Sequence, residues 1–382
     1  MRYFALAALL VGCNQKAILG DPPAAAVPPG TSFEVIEAPK QGGTQDTGYW
    51  PNLLVNHGVL TVAYCDANLG DAKVARRGAD GTWSIETVES KGAVGKYMAA
   101  TLGPGGIELV YFDQSRKTLR HAAEGVVDKK PGWVFSDIAT DKEDLGISGR
   151  FLITTKGERL FVHYNTRNEL LLSQADGSAA PTWTTQKLAT AGGVYNIQVD
   201  LGFDKAGRLL IVYPNWAVSR STLYQGVIAN LKAAKLEEEL QFRKVDEEGI
   251  AGLKSGLVFI PEAPEIVYMA SRGGVLYSAK LEKNEFVKQR LLGNVANFSA
   301  TGMSDGRLAV ALQVGRSEGL GEGALHLGVR EKSGAFKEYA LDEARPVGQY
   351  LSIAEAPGKT RPEITIAYYD GVKKALRLAR IP

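Results

Sequence analysis

The chain has 382 residues, of which 45% are hydrophobic, so it can bury a sizeable core and is too long for one ordinary two-layer domain. Lys and Arg total 44 against 42 Asp and Glu, with no basic stripe, so nothing indicates a nucleic-acid partner and an acidic disordered chain is excluded. The 43 glycines indicate many tight turns.

The N-terminal residues have the pattern of an export signal. Arg2 precedes an apolar run, residues 4–11, that is too short to span a bilayer as a stable helix. The run leads into Leu10-Val11-Gly12-Cys13, which resembles the bacterial lipobox. This resemblance implies a signal peptide over residues 1–12, cleavage before Cys13, and acylation that makes the membrane a partner. Asn14 after the cysteine favours the outer membrane, and the alternative is an ordinary signal peptide with a chance cysteine.

Residues 13–31 are predicted to be a flexible tether that carries the lipidated cysteine. Prolines at positions 22, 23, 28 and 29 lie among alanines, a composition that favours an extended, unpacked chain. The other cysteine, Cys65, lies in an apolar run and is interpreted as a packed strand residue rather than a catalytic thiol. The remaining residues, 32–382, are predicted to form one domain.

A unit of roughly fifty residues repeats through this domain, a period typical of propellers and solenoids. Each unit has a Gly-x-aromatic opening, an apolar strand that ends near Tyr-x-Asp or Tyr-x-Asn, and an aromatic residue that opens its last strand. The tyrosine landmark is clearest at Tyr64-Cys65-Asp66, Tyr111-Phe112-Asp113 and Tyr368-Tyr369-Asp370. The last-strand aromatics are Trp83, Trp133, Trp183, Phe242, Phe286 and Phe336. Short turns join the strands, so each unit is predicted to hold four antiparallel strands, with the aspartates serving the turns.

Seven such units fit the chain, but the seventh stops after its third strand. Residues 33–38 have the pattern of the missing fourth strand and lie at the other end of the domain. The sequence therefore predicts an all-β, seven-bladed β-propeller of four-stranded antiparallel blades, closed by the N-terminal strand. The repeat resembles that of bacterial sialidase-like or BNR-type propellers.

In a propeller the first strand of each blade lines the central channel, so the Gly-x-aromatic positions are predicted to converge at its mouth. This ring comprises Trp50, Tyr97, Phe151, Tyr195, Lys254, Phe298 and Tyr350, with the polar neighbours Tyr49, Lys96, Arg150, Asn196, Ser255, Asn297 and Gln349. Aromatic faces with a few positive and amide groups suit a sugar or an anionic ligand. The alternative is that these aromatic residues pack between blades, because packing would also repeat in every unit.

The sequence contains no complete motif of an enzyme or of a metal site. The resemblance to sialidases implies a clamp of several arginines, but only Arg150 stands at a predicted strand start, and the Asp-box is reduced to a partial copy at residues 79–83. His57, His121, His163 and His326 have no metal-ligand spacing, and no cofactor motif is present.

Function is therefore predicted mainly from architecture. The first hypothesis is a membrane-anchored envelope lipoprotein that acts as a binding or scaffold propeller for an envelope protein or a glycan. The alternatives are a sialidase-like glycoside hydrolase or lyase at the channel mouth, and a structural subunit of a membrane-associated envelope complex.

Overall fold

The described part of the chain consists almost entirely of β-strands. The computed structural model describes residues 23–138, 147–179, 181–190, 198–217, 220–260, 263–270, 274–315, 323–358 and 361–382. Within these ranges lie strands β1 to β28 and one short helix, α1 (Leu236–Glu239). β-branched and aromatic residues fill the second strand of each predicted unit, which is the composition that a buried strand favours.

The strands form seven sheets of four, which we number as blades in chain order. Blades 1 to 3 contain β2 (Thr47–Asn56), β3 (Val59–Asp66), β4 (Asp71–Arg77) and β5 (Trp83–Glu89); β6 (Lys96–Gly103), β7 (Gly106–Asp113), β8 (Thr118–Val127) and β9 (Lys130–Ile138); β10 (Ile147–Ile153), β11 (Arg159–Tyr164), β12 (Glu169–Ala175) and β13 (Trp183–Thr190). Blades 4 and 5 contain β14 (Asp200–Phe203), β15 (Leu209–Ala217), β16 (Arg220–Ile228) and β17 (Gln241–Asp246); β18 (Ala251–Ile260), β19 (Ala263–Ala270), β20 (Val275–Glu282) and β21 (Glu285–Leu292). Blades 6 and 7 contain β22 (Val295–Gly302), β23 (Leu308–Val314), β24 (Ala324–Arg330) and β25 (Phe336–Asp342); β26 (Val347–Ala356), β27 (Glu363–Asp370), β28 (Ala375–Ile381) and β1 (Ser32–Glu37).

The blades close into a ring around their first strands. Contacts between first strands run in the order β2, β6, β10, β14, β18, β22, β26 and back to β2. Apolar clusters fill the spaces between neighbouring blades; one joins Tyr64 and Ala75 of blade 1 to Leu376 of blade 7. This stacking buries both faces of most sheets, which one four-stranded sheet cannot do alone. The prediction of a seven-bladed, all-β propeller is confirmed.

The two ends of the domain meet in blade 7, as the sequence predicts. β1 pairs antiparallel with β28, with Phe33 opposite Ala379 and Val35 opposite Arg377. The sheet order is β1-β28-β27-β26, so the N-terminal strand is the outermost strand of the last blade. Residues that are far apart in sequence therefore share one sheet, and the ring has no open seam between blades 7 and 1.

Two glutamates of β1 also bind blade 1. The guanidinium of Arg77 donates to both carboxylate oxygens of Glu34, at 3.0 Å each. Lys73 Nζ lies 2.9 Å from Glu37 Oε1, and the Tyr64 hydroxyl donates to Glu37 Oε2 at 2.7 Å. β1 thus contributes backbone pairing to blade 7 and charged side chains to blade 1, so it stabilises the seam from both sides.

The buried tyrosine of the repeat connects neighbouring blades. In four blades its hydroxyl donates to a carboxylate at the end of the outermost strand of the preceding blade. These pairs are Tyr64 with Glu37, Tyr111 with Glu89, Tyr268 with Asp246, and Tyr368 with Asp342, at 2.7 to 3.2 Å. Burial, together with the carboxylate, raises the pKa of each of these tyrosines, so each remains a hydrogen-bond donor at neutral pH.

The aspartates that follow these tyrosines shape turns, as predicted. Oδ1 of Asp113 accepts from the backbone N–H groups of Ser115 and Arg116, at 2.9 and 3.0 Å. Asp66 and Asp370 make the same pair of bonds to the residues two and three positions on. These carboxylates therefore satisfy backbone donors in the turns.

A buried ion pair joins blades 2 and 3. Arg159 donates to both oxygens of Glu108, with Nη2 at 2.9 Å from Oε1, and His121 Nε2 lies 2.8 Å from Oε2. All three side chains are almost fully buried. Burial raises the pKa of Glu108, but the bonds from His121 and Arg159 outweigh it and hold the pKa below its ordinary value.

The described part of the tether contacts blade 6 of the propeller. The Ala25 N–H donates to Glu338 O at 2.7 Å, and Ala25 O accepts from the Ala340 N–H at 3.1 Å. The segment from residue 23 is therefore held against blade 6 at this point, which the sequence did not indicate. Cys13 and the signal segment lie outside the described residues. Among the described helices, none has the length and hydropathy needed to cross a bilayer.

Candidate functional site

The Gly-x-aromatic positions form bulges in the first strands. Pairing of β2 with β3 shifts register between Tyr49 and Asn52, and β6 shifts against β7 in the same place. Gly48 and Gly95 adopt φ values of 108° and 89°, which side chains rarely tolerate. A Cβ on Gly95 would lie 3.0 Å from the Cys65 sulfur, so the close packing also requires glycine there. The bulges turn the following residues out of the regular ladder.

Two aromatic residues at these bulges have strained backbones. Trp50 and Tyr97 have φ values of 48° and 54°, in the left-handed region that bulky residues seldom occupy. Such a conformation costs about 1–3 kcal/mol and persists where the surrounding structure requires it. Neither side chain is fully buried. The fold therefore holds two large rings, partly open to solvent, in an unfavourable backbone conformation.

Five aromatic side chains meet at the end of the channel where the first strands begin, which we call the mouth. Tyr350 and Tyr369 come from blade 7, Tyr49 and Trp50 from blade 1, and Tyr97 from blade 2. Trp50 lies between Tyr97 and Tyr350, with ring centroids 5.5 Å apart in each case. Tyr49 lies 4.7 Å from Tyr350 and 4.8 Å from Tyr369. We call this group the mouth cluster.

Asp46 orients two phenols of the mouth cluster. The Tyr369 hydroxyl donates to Asp46 Oδ1 at 2.6 Å, and the Tyr49 hydroxyl donates to Oδ2 at 3.4 Å. Burial, together with Asp46, raises the pKa of both phenols, and burial raises the pKa of Tyr350 to about 12. The phenols of Tyr49, Tyr350 and Tyr369 therefore stay protonated at neutral pH, and two of them donate their one O–H to Asp46.

Two predicted ring members belong to the core instead. Phe151 and Phe298 are only 2% and 3% exposed. Phe151 packs against His121 of blade 2 and Trp183 of blade 3, and Phe298 packs in the cluster between blades 5 and 6. At these two positions the rings pack between blades, as in the packing alternative, and leave little surface for a ligand. Tyr195 and Asn196 lie outside the described residues.

Arg150 at the mouth pairs with a carboxylate of the next blade. Its Nε lies 3.3 Å from Asp200 Oδ1, and about half of the Arg150 side chain is exposed. Asp200 also accepts from the backbone N–H groups of Leu201 and Leu257, each at 2.9 Å. Burial raises the pKa of Asp200, while Arg150 opposes that shift. This carboxylate therefore holds blades 3, 4 and 5 together.

Lys254 belongs to a polar chain across the next three first strands. Its Nζ donates to Asn297 Oδ1, and Asn297 Nδ2 donates to the backbone oxygen of Gln349. Asn297 Oδ1 also accepts from the Phe298 N–H at 2.7 Å, so the amide is fixed in orientation. Burial lowers the pKa of Lys254 to about 8. Three predicted polar ring residues are thus joined to one another.

Some residues of the mouth were absent from the predicted ring. Asp46 lies in the loop before β2, where no repeat landmark marks it. Tyr369 could have been noticed, because Tyr368-Tyr369-Asp370 carries a second phenol next to the repeat tyrosine. Asn52 bridges blades 1 and 2 by donating to Met98 O at 3.0 Å and accepting from the Ala100 N–H at 3.1 Å. Across the described ranges, no three His, Cys, Asp or Glu side chains are placed to hold a metal ion.

No protein-family model matches the chain, and no curated protein matches it. Solved structures do match, and they share its fold. An ulvan lyase, from a new family of polysaccharide lyases and solved with a bound saccharide, is 10% identical with a TM-score of 0.55, over 87% of this chain and 93% of the lyase. A puromycin-hydrolyzing peptidase of Mycobacterium tuberculosis is 14% identical with a TM-score of 0.52, over 92% of this chain and 56% of the peptidase.

A protein of unknown function from Dyadobacter fermentans is 8% identical with a TM-score of 0.50, over 92% of this chain and 99% of that protein. Lectins and sialidases also match, at TM-scores of 0.45 to 0.48, which are too low to bear on function. At these identities the comparisons establish the propeller architecture alone.

Proposed function

We propose that this chain is a glycan-binding propeller of the bacterial envelope, with the sugar held at the mouth of the central channel. The mouth cluster carries this proposal, because it gathers large aromatic rings from blades 7, 1 and 2. Trp50, Tyr97, Tyr350 and Tyr49 keep part of their surface open, whereas Phe151 and Phe298 at equivalent positions are buried. These four rings of the cluster therefore have surface that packing between blades does not use.

The chemistry of the cluster suits a sugar. A pyranose has apolar C–H faces that pack on aromatic rings and a rim of hydroxyls that need hydrogen-bond partners. Binding sites of this kind combine aromatic walls with a few fixed polar groups. Here the polar groups are the protonated phenol of Tyr350, the Arg150 guanidinium and the Gln349 side chain beside Tyr350. The ulvan lyase with its bound saccharide supports the view that this fold can accommodate a glycan.

The direct test is a glycan array with purified protein. We expect selective binding to a subset of glycans, and about tenfold weaker binding by Trp50→Ala, because one lost aromatic contact is worth roughly 1–1.5 kcal/mol. Arg150→Ala should weaken the same hits. Trp133→Ala is the matched control, because Trp133 lies on the outermost strand of blade 2 and bonds Glu86. Binding that is absent for all glycans, or unchanged in Trp50→Ala, would contradict the proposal.

Placement at the envelope rests on the lipobox-like motif at Cys13. Acylation there would attach the propeller to a membrane through the segment that reaches blade 6 at Ala25. We propose the outer membrane, because Asn14 follows the cysteine. The mouth would then meet glycans of the envelope or of its surroundings.

Expression of Cys13→Ser in a bacterial host tests this anchor. Because stable attachment requires the acyl chains, the variant should move from the membrane pellet to the soluble fraction. Cys65→Ala is the control, since Cys65 is buried in blade 1 and should leave fractionation unchanged. A Cys13→Ser protein that stays in the pellet would show that something other than the thiol holds it.

A further inference from the structure

The first strands concentrate positive charge near the mouth. The whole chain is nearly neutral, with 44 basic and 42 acidic residues. The mouth halves of the described first strands, in contrast, carry Lys96, Arg150 and Lys254 against one carboxylate, Asp200. Glu355 lies near the far end of β26 and bonds Ser304. With Asp46 in the loop before β2, this end of the first strands has three cations against two carboxylates, a small excess of positive charge.

Lys254 is the cation whose surroundings call for an anion. An ammonium has three N–H donors, and its one described partner is the amide oxygen of Asn297. Along the described ranges, no carboxylate lies within 4.0 Å of its Nζ. Asp200 is already bonded to Arg150 and to the backbone of blades 4 and 5. Buried lysines are usually paired with an acid. Lys254 has no such partner among the described residues, so N–H donors of its ammonium remain for a ligand.

We propose that the mouth takes an acidic glycan, and that Lys254 binds the oxyanion of its uronate carboxylate or sulfate ester. This inference rests on the proposed function and names the ligand class of the same site. The oxyanion would accept hydrogen bonds from the remaining N–H groups of Lys254, while the mouth cluster holds the sugar ring. Asn297 has a positioning role, because its bonds to Phe298 and Gln349 fix the oxygen that orients Lys254.

The proposal makes binding sensitive to alkaline pH. Burial lowers the pKa of Lys254 to about 8, and the oxyanion binds its charged form, so affinity falls as the pH rises through that value. The strands packed against β18 carry these titratable or charged groups: Asp200 on β14, Tyr213 on β15, Arg220 and Tyr224 on β16, and Glu265 and Tyr268 on β19. The pKa of Tyr213 is raised to about 12 and that of Tyr268 is raised further, so neither phenol ionises near pH 8.

The experiment compares calorimetric titrations of three oligosaccharides of one length: a neutral one, one with uronates and one with sulfate esters. Sodium sulfate alone forms a fourth arm. Wild type should prefer the acidic sugars at pH 7 and lose about tenfold in their affinity per pH unit above 8. Lys254→Met should lose about tenfold for acidic sugars at pH 7 and keep neutral binding. Lys254→Arg should bind acidic sugars equally at pH 7 and 9.5.

Lys205→Met is the control, because Lys205 is exposed in the hairpin between β14 and β15, at the other end of the channel. Equal affinity for neutral and acidic sugars would overturn this inference while leaving the proposed function intact. Sodium sulfate that displaces the acidic sugars at concentrations similar to their own would also overturn this inference, because it would indicate a site for free anions. Failure to bind any glycan would overturn the proposed function and this inference together. If Lys254→Met does not fold, the pH series of wild type and the Lys254→Arg variant still test the role of Lys254.

Discussion

A chain that lacks residues 23–38 is expected to lose its cooperative unfolding transition. The deletion removes β1, so β28 loses its antiparallel partner and becomes an unpaired edge in blade 7. It also removes Glu37 and thereby leaves Lys73, whose side chain is only 7% exposed, with Asp66 at 3.4 Å as its remaining carboxylate. Weakening a buried ion pair in this way typically costs about 3–5 kcal/mol. Together with the lost backbone pairing, this is comparable to the roughly 5–15 kcal/mol that stabilises a typical protein.

Circular dichroism during heating measures this effect, with hydrogen exchange of β28 as the local readout. A deletion of residues 23–30 alone is the matched control, because it removes the Ala25 contact and keeps β1. We expect the control to unfold in a single transition close to that of the full domain. A deletion chain that unfolds as cooperatively as this control would contradict the closure role of β1.

Arg159→Met should destabilise the propeller by about 3–5 kcal/mol, the cost of leaving a buried carboxylate without its cation. Glu108 is 5% exposed in its side chain and would keep only His121 as a partner. Urea denaturation at pH 7 measures the change. Arg345→Met is the matched control, because both side chains of its ion pair with Glu343 are more than half exposed, and such pairs contribute about 0–1 kcal/mol. Similar midpoints for the two variants would contradict this ranking.

Glu108 and His121 make the stability of the wild-type protein depend on pH. The pKa of Glu108 is held below its ordinary value, so its stabilising contribution is present above the unfolded pKa and is lost as the pH falls. Burial lowers the pKa of His121, so the unfolded chain takes up its proton first, and stability decreases as the pH falls below the ordinary value of histidine. Both groups therefore favour the folded state near neutrality.

The architecture could be predicted because each blade is encoded by a local, repeated pattern. Tyr64 and Trp83 mark the second and last strands of one unit, and hairpin turns join them without long-range information. The closure by β1 followed from counting, since the seventh unit lacks a last strand and residues 33–38 supply one. The turn role of Asp113 followed from its position after a buried strand.

The contacts between blades could not be predicted in this way. Glu108 and Arg159 come from different blades, and nothing local in the sequence pairs them. The same limit applies to Asp46 and Tyr369, which meet only because blades 7 and 1 are neighbours in the closed ring. Partners of this kind depend on which faces of two sheets meet.

The ring of aromatic residues was predicted in part, for a related reason. Sequence position treats Trp50 and Phe151 alike, because both follow a Gly-x pair. In the structure Trp50 has a positive φ and stays partly open, whereas Phe151 does not and is buried between blades. At these two positions the backbone conformation and the burial differ, although both residues are aromatic.

The emission of Trp50 tests most directly whether a sugar binds at the mouth. The chain has 5 tryptophans, so the experiment titrates a glycan-array hit into wild type and into Trp50→Phe and subtracts the two fluorescence changes. The structure predicts that the fluorescence of wild type changes saturably, with the same midpoint concentration as the calorimetric titration. In Trp50→Phe this change should disappear while binding itself persists. A change of equal size in both proteins, or binding with no change in either, would place the sugar elsewhere and contradict the proposed site.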